Sequence, residues 1–332
     1  MLGFLLRRVA TMIGTLAVIS VLVFVVIQLP PGDYLTTYIA DLQAQGEDVS
    51  SDKVDFLREQ YGLDQPMPVQ YLEWVTGLLH GNLGYSFEYQ MPVADVVGDR
   101  LFLTLLLNFL TVLFIYGVSF PIGVYIATHQ YSFADHSLSF LGYIGLATPN
   151  FLLALILLYL SNVWFGISIG GLMDPAYIGE GWSIGKAGSL FAHLVVPVIV
   201  IGTAGTAGMI RRLRANLLDE LQKPYVVTAR AKGLPEGRIL RKYPLRAVLN
   251  PFVSDIGTLL PQIVSGSVIV SAVMSLPTTG PMLLSSLRSQ DMYLAGSFLM
   301  FLAVLTVVGM LVSDLLLAAI DPRVRLERGR KS

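Results

Sequence analysis

Six stretches of this chain run for about 20 residues or more with almost no charge, and that pattern leaves few destinations other than a lipid bilayer. They cover residues 9–29, 101–127, 137–163, 187–210, 250–273 and 293–320. A helix of about 20 apolar residues crosses the hydrocarbon core, and it satisfies its own backbone groups where no water can. Charged residues make up only 14% of the chain, against about a quarter in soluble domains. There are no cysteines, which excludes disulfides, thiolate metal sites and thiol catalysis. The expected fold is an all-α integral membrane protein with six transmembrane helices.

The charges sort by segment. Arg7-Arg8 precede the first span, which is too long for a signal-peptide core and lacks an Ala-x-Ala site after it. Residues 30–99 carry twelve acids against Lys53 and Arg58. Ten Lys and Arg residues fall between Arg211 and Arg246, and five more in the tail 321–332. The positive-inside rule therefore puts both termini and the 212–246 segment in the cytoplasm, and 30–99, 164–186 and 276–292 outside. The domain reading is a head and first span at 1–29, an external segment at 30–99, a five-helix core at 100–320 and a tail at 321–332. Within the external segment, residues 43–52 read as flexible loop and 52–57 as a helix start capped by Asp52. Tyr71, Trp74, Leu78 and Leu79 recur at helical spacing on a second short helix, lying on the interface or on the core. Gly166, Gly170 and Gly171 end the third span, and Trp164 and Trp182 suit interfacial anchors.

Few residues recommend themselves for chemistry. Gly181 to Ala187 approaches a phosphate loop but lacks its glycine spacing and the Ser/Thr after Lys186. Four histidines are scattered, and no Ser/His/Asp grouping suggests a hydrolase. Polar residues within spans are functional candidates because lipid penalises them. Asp255 and Asp314 lie near span ends, where a carboxylate reaches water or a structural partner. Asn108 and Gln262 are placed to line a translocation path or to join helices. A secondary transporter would need ion-coupling carboxylates at mid-membrane, and these acids sit elsewhere.

The basic segment has its own grammar. Pro224 suits a helix start, Gly233 a left-handed stop, Leu234 an apolar contact, and Pro235 a second helix running to about Tyr243, before Pro244. Ala229 and Ala231 keep parts of the first helix slim enough for close approach by another protein. A topology marker accounts for the charges but not for this punctuation.

These residues resemble a known family. Thr228-Ala229-Arg230-Ala231-Lys232-Gly233-Leu234 is similar to the EAA loop of permease subunits in dipeptide/oligopeptide-type ABC importers, with Val227-Thr228 where the family's leading Glu-Ala stands. Tyr61-Gly62-Leu63-Asp64-Gln65-Pro66, Val69 to Trp74, Gly81-Asn82-Leu83-Gly84-Tyr85-Ser86 and Asp321-Pro322-Arg323-Val324-Arg325 resemble further stretches of that class, in order. The resemblance implies a type I ABC importer permease fold in a bacterial or archaeal cytoplasmic (inner) membrane. It implies that Tyr225, Thr228, Ala229, Arg230, Ala231, Lys232, Gly233 and Leu234 form a coupling element docked on an ATPase. The implied partners are a second homologous permease, two ABC ATPase subunits or domains, an external solute-binding protein and membrane lipid, with no nucleic acid. ATP and Mg would bind the ATPases, leaving this chain without cofactor or catalytic residues. The implied cargo is a peptide. One departure points to an oligosaccharide or other solute: before the last span the family reads roughly P-G-x-G and R-D-Y-P, and here stand Pro277-Thr278-Thr279-Gly280 and Gln290-Asp291-Met292-Tyr293. Pro277, Thr278, Thr279, Gly280 and Asp291 join Asn108 and Gln262 as candidates for the path or gate.

Overall fold

A computed structural model describes residues 2–29, 39 and 65–320. The expected loop at 43–52, the helix start at 52–57, residues 61–64 and the tail 321–332 lie outside the described residues.

Four helices are long and apolar enough to cross a membrane. The first, α1, is Leu2–Gln28. After a short helix α2, Met67–Leu79, a two-strand hairpin pairs β1 (Tyr85–Ser86) with β2 (Met91–Pro92). Helix α3 then runs over Val93–Thr128, eight residues earlier than the predicted span. Its 36 residues reach about 54 Å, well beyond a hydrocarbon core.

The predicted third span is not straight. It divides into α4, Phe133–Ala147, and α5, Asn150–Phe165, bent by 103° at the break. Pro149 is the cause: it has no N–H to donate, and it drives Thr148 out of the helical region to φ −87°, ψ 119°. Gly166 at φ +62° closes α5, as the glycine cluster predicted.

Helix α6, Ile184–Leu221, passes through the predicted end of the fourth span and continues for eleven residues. Arg211 to Leu221 are good helix formers, and their charge requires water rather than a loop. Next come α7 (Pro224–Ala231), α8 (Glu236–Lys242), α9 (Pro244–Ser254) and α10 (Ile256–Val273). The predicted fifth span is thus shared by α9 and α10, broken at Asp255. The final elements are α11, Thr279–Arg288, and the fourth long helix, α12, Met292–Ile320. Counting the bent α4–α5 pair as one crossing gives up to five spans by length and composition. The sixth of the sequence reading rests on the broken α9–α10 pair.

The helices gather into two compact units, one with described residues up to Thr104 and Thr278–Val307, the other with Leu105–Pro277 and residues 308–320. In the first, Val93, Val96 and Val97 of α3 form a core with Met282, Leu283, Leu294 and Phe298. Trp74 of α2 is buried against Phe24 of α1 and Met292, while the Tyr71 hydroxyl meets Ser20 Oγ at 2.9 Å. Of the two placements open to α2, it takes the one on the helical core. In the second unit α6 is the centre, with Leu194, Val200, Ile201, Met209, Leu213 and Leu217 buried. Outward-facing residues such as Leu22, Val26, Phe109, Phe140 and Phe191 are apolar and exposed, the inverse of a soluble surface and as lipid requires.

Candidate functional site

The basic helix pair is closed by local geometry. Pro224 occupies the first turn of α7, where its missing N–H costs nothing. At the other end Gly233 takes φ +71°. The Leu234 N–H reaches Ala229 O at 3.3 Å and the Gly233 N–H reaches Arg230 O at 2.9 Å, the two bonds of a Schellman stop. Leu234 then folds onto a small core of Val226, Ala229 and Ile239, joined by Tyr243. Two short helices that would fray alone thereby share one apolar seam. Ala229 faces this seam and is buried, so it is not part of a slim outer surface as its size suggested; Ala231 is exposed.

What remains outside is the edge formed by Tyr225, Val227, Thr228, Arg230, Ala231, Lys232 and Gly233. Arg230 makes a two-pronged ion pair with Glu236, at 2.8 and 3.2 Å. Both side chains are exposed, so the pair orients the guanidinium more than it stabilises the fold. The Tyr225 hydroxyl donates to Glu220, and burial together with that carboxylate pushes its pKa up to about 12. The phenol is therefore a neutral donor at any physiological pH.

The stem below this edge is pinned twice within the second unit. Arg212 Nε meets Asp255 Oδ2 at 2.8 Å, at the α9–α10 junction. Arg214 grips both oxygens of Asp135 at 2.7 Å each, where α4 begins. Asp135 is almost fully buried, and its Oδ2 also accepts the Tyr131 N–H at 3.0 Å. The pair gives Asp255 one of the roles its place near a span end left open, a structural partner; Asp135 is not marked in the sequence. Its signal was weak: one acid in a turn with no lysine or arginine nearby.

The path candidates are divided between the two units. In the second unit Asn108 is buried with neither amide atom hydrogen-bonded among the described residues, whereas Gln262 and Pro277 are exposed. In the first unit Thr278, Thr279, Gly280 and Asp291 are buried at the two ends of α11. Thr278 caps that helix by accepting the Gly280 N–H. Thr279 bonds through its hydroxyl and its N–H to Thr104 Oγ1, at 2.9 and 3.0 Å. Asp291 accepts from Ser86 Oγ at 2.6 Å and from the Glu88 and Leu294 N–H groups at 3.1 and 3.2 Å, tying the hairpin to the start of α12. Burial raises its pKa, and these donors pull the other way.

Long apolar helices with an exposed basic helix pair between them define a multi-pass membrane protein. The family model described as "Binding-protein-dependent transport system inner membrane component" matches residues 119–326, and its N-terminal companion matches 1–108. The chain belongs to that family of inner-membrane transport components. It is 34% identical over 325 residues to the oligopeptide transport system permease protein AppB of Bacillus subtilis, covering 98% of this chain and 99% of the relative. It is 29% identical to the dipeptide transport system permease protein DppB of Escherichia coli and to the glutathione transport system permease protein GsiC of Salmonella choleraesuis, over 98% of this chain and 99% of each.

Proposed function

We propose that this chain is the permease subunit of an ABC importer, forming half of the translocation path for a peptide-type solute handed over by a binding protein. The α7–α8 pair is its docking element, seated on a cytoplasmic ATPase partner that binds ATP and Mg. Both termini share that side, and the 30–99 segment faces the binding protein outside. The observation that carries the reading is the pair itself: a glycine-closed protrusion with its own core and an exposed Tyr225–Gly233 edge, set on a stem pinned by Arg212 and Arg214. The full-length relatives named for oligopeptide, dipeptide and glutathione transport support the cargo.

The departures at 277–280 and 290–293 are the one ground for an oligosaccharide. Thr278, Thr279 and Asp291 have hydrogen-bond partners inside the first unit, which supports a packing role for these departures. The test is to purify the assembled complex with its binding protein and screen that protein by thermal shift. Short peptides should raise its melting temperature. A rise with oligosaccharides alone would overturn the cargo, and a purified chain that transports solute without an ATPase would overturn the importer reading.

A further inference from the structure

Three arginines appear within four residues where the apolar run of α6 meets water, and only two of them have an acid. Arg212 pairs with Asp255 and Arg214 with Asp135. Arg211 is exposed and has no ion pair or hydrogen bond among the described residues. It lines a cavity of about 100 Å³ bounded by α3, α4 and α6. The other walls include Ile126, Leu146 and Ile210, with Gly142 and Ala207 facing one another across it. A Cβ added to Gly142 would meet only the Ala207 methyl, at 3.9 Å, so the slot exists because both residues are small. One turn on, Gly145 lies so close to Thr203 that an added Cβ would come within 2.8 Å of its methyl, and there the helices shut.

Such a slot is too small for a transported solute, which needs several hundred cubic ångströms. Ser139 and Arg214 also line it but both bond to Asp135, so Arg211 is the lining charge with no partner among the described residues. A guanidinium beside a hydrophobic crevice, at the depth where a span leaves the hydrocarbon, matches an amphiphile with a negative head. We propose that this is a binding site for an anionic phospholipid: its phosphate pairs with Arg211, whose planar fork suits two phosphate oxygens, and an acyl chain lies along the Gly142–Ala207 slot. The exposed Tyr143 at the same cavity supplies a second donor for the head group. The site needs only the membrane setting, so it stands or falls separately from the coupling and cargo readings.

The test uses the full-length protein with its partners, delipidated in detergent, and follows thermal unfolding on adding phosphatidylglycerol, phosphatidylcholine or inorganic phosphate. Phosphatidylglycerol should raise the midpoint by at least about 3 °C, with little effect from the other two. Arg211→Gln should abolish that rise, and Arg211→Lys should keep part of it. Gly142→Leu, which fills the slot and leaves the arginine, should abolish it too. An equal rise with phosphatidylcholine, or in Arg211→Gln, overturns the site. A full rise with inorganic phosphate overturns the lipid as its source. Loss of the second permease subunit from Arg211→Gln would make Arg211 an interface residue, and also overturns it.

Discussion

Gly233 and Gly84 both sit at positive φ, +71° and +86°, but a side chain would meet different resistance at each. At Gly233 nothing lies within 4 Å of an added Cβ, so substitution strains only the backbone, by roughly 1–2 kcal/mol. Gly233→Val should therefore insert normally yet lose ATPase copurification and uptake, with Gly233→Ala milder; uptake at the wild-type rate in the valine variant would end the coupling assignment. At Gly84 an added Cβ would lie 2.4 Å from the Tyr293 ring, and Gly84→Ala should cost about 2–4 kcal/mol in thermal unfolding as strain and overpacking combine. Asp291→Asn sets an amide NH2 against donors on one side of the carboxyl and should cost about 2 kcal/mol. The raised pKa adds a sign: the Asp291 contribution is complete below the ordinary carboxylate range and is lost as pH rises through the folded value. The stability margin of wild type over Asp291→Asn should narrow as pH rises from the ordinary carboxylate range, about pH 4, toward neutrality. Gly233 was legible in the sequence because its stop is local, written in residues 224–235. The reason for Gly84 was not, because the ring it touches comes from the far end of the chain.

At the scale of elements, apolar composition located the helices but not their continuity. The run through 137–163 is unbroken in hydropathy, and its bend is set by one residue, Pro149. Helix α6 overran its predicted end for the opposite reason: charge marks where lipid stops, not where a helix does. The buried clasp of Arg214 on Asp135 escaped sequence reading because its two halves lie on different helices and either alone reads as a surface charge. It makes a sharp prediction. Asp135→Asn leaves a partly buried guanidinium without its counter-charge, and should destabilise the protein by roughly 2–4 kcal/mol. Unfolding in detergent would show it, and the restoration of a partner by an Asp135→Glu variant should recover part of the loss.

For the whole molecule, the route through the membrane turns on the bent pair. If α4 and α5 form a re-entrant loop, α6 enters from the side on which α3 ended, and Arg211, Arg212 and Arg214 emerge outside, against the positive-inside rule. If the pair crosses, they emerge in the cytoplasm. A chain with no cysteine is its own background for deciding. Tyr131, Ile178 and Gly237 are all exposed, and single cysteines there should react with an impermeant maleimide from the inside, the outside and the inside respectively. Labelling of positions 131 and 178 from the same side would remove the crossing and the six-span count with it. One mechanical consequence belongs to α6, which carries Pro197 within its length. From that proline the helix extends about 36 Å toward Leu221 and about 20 Å toward Ile184. The hydrogen bond missing at Pro197 makes this the place where the rod bends most easily, so a displacement of the longer arm is taken up there and the shorter arm keeps its packing.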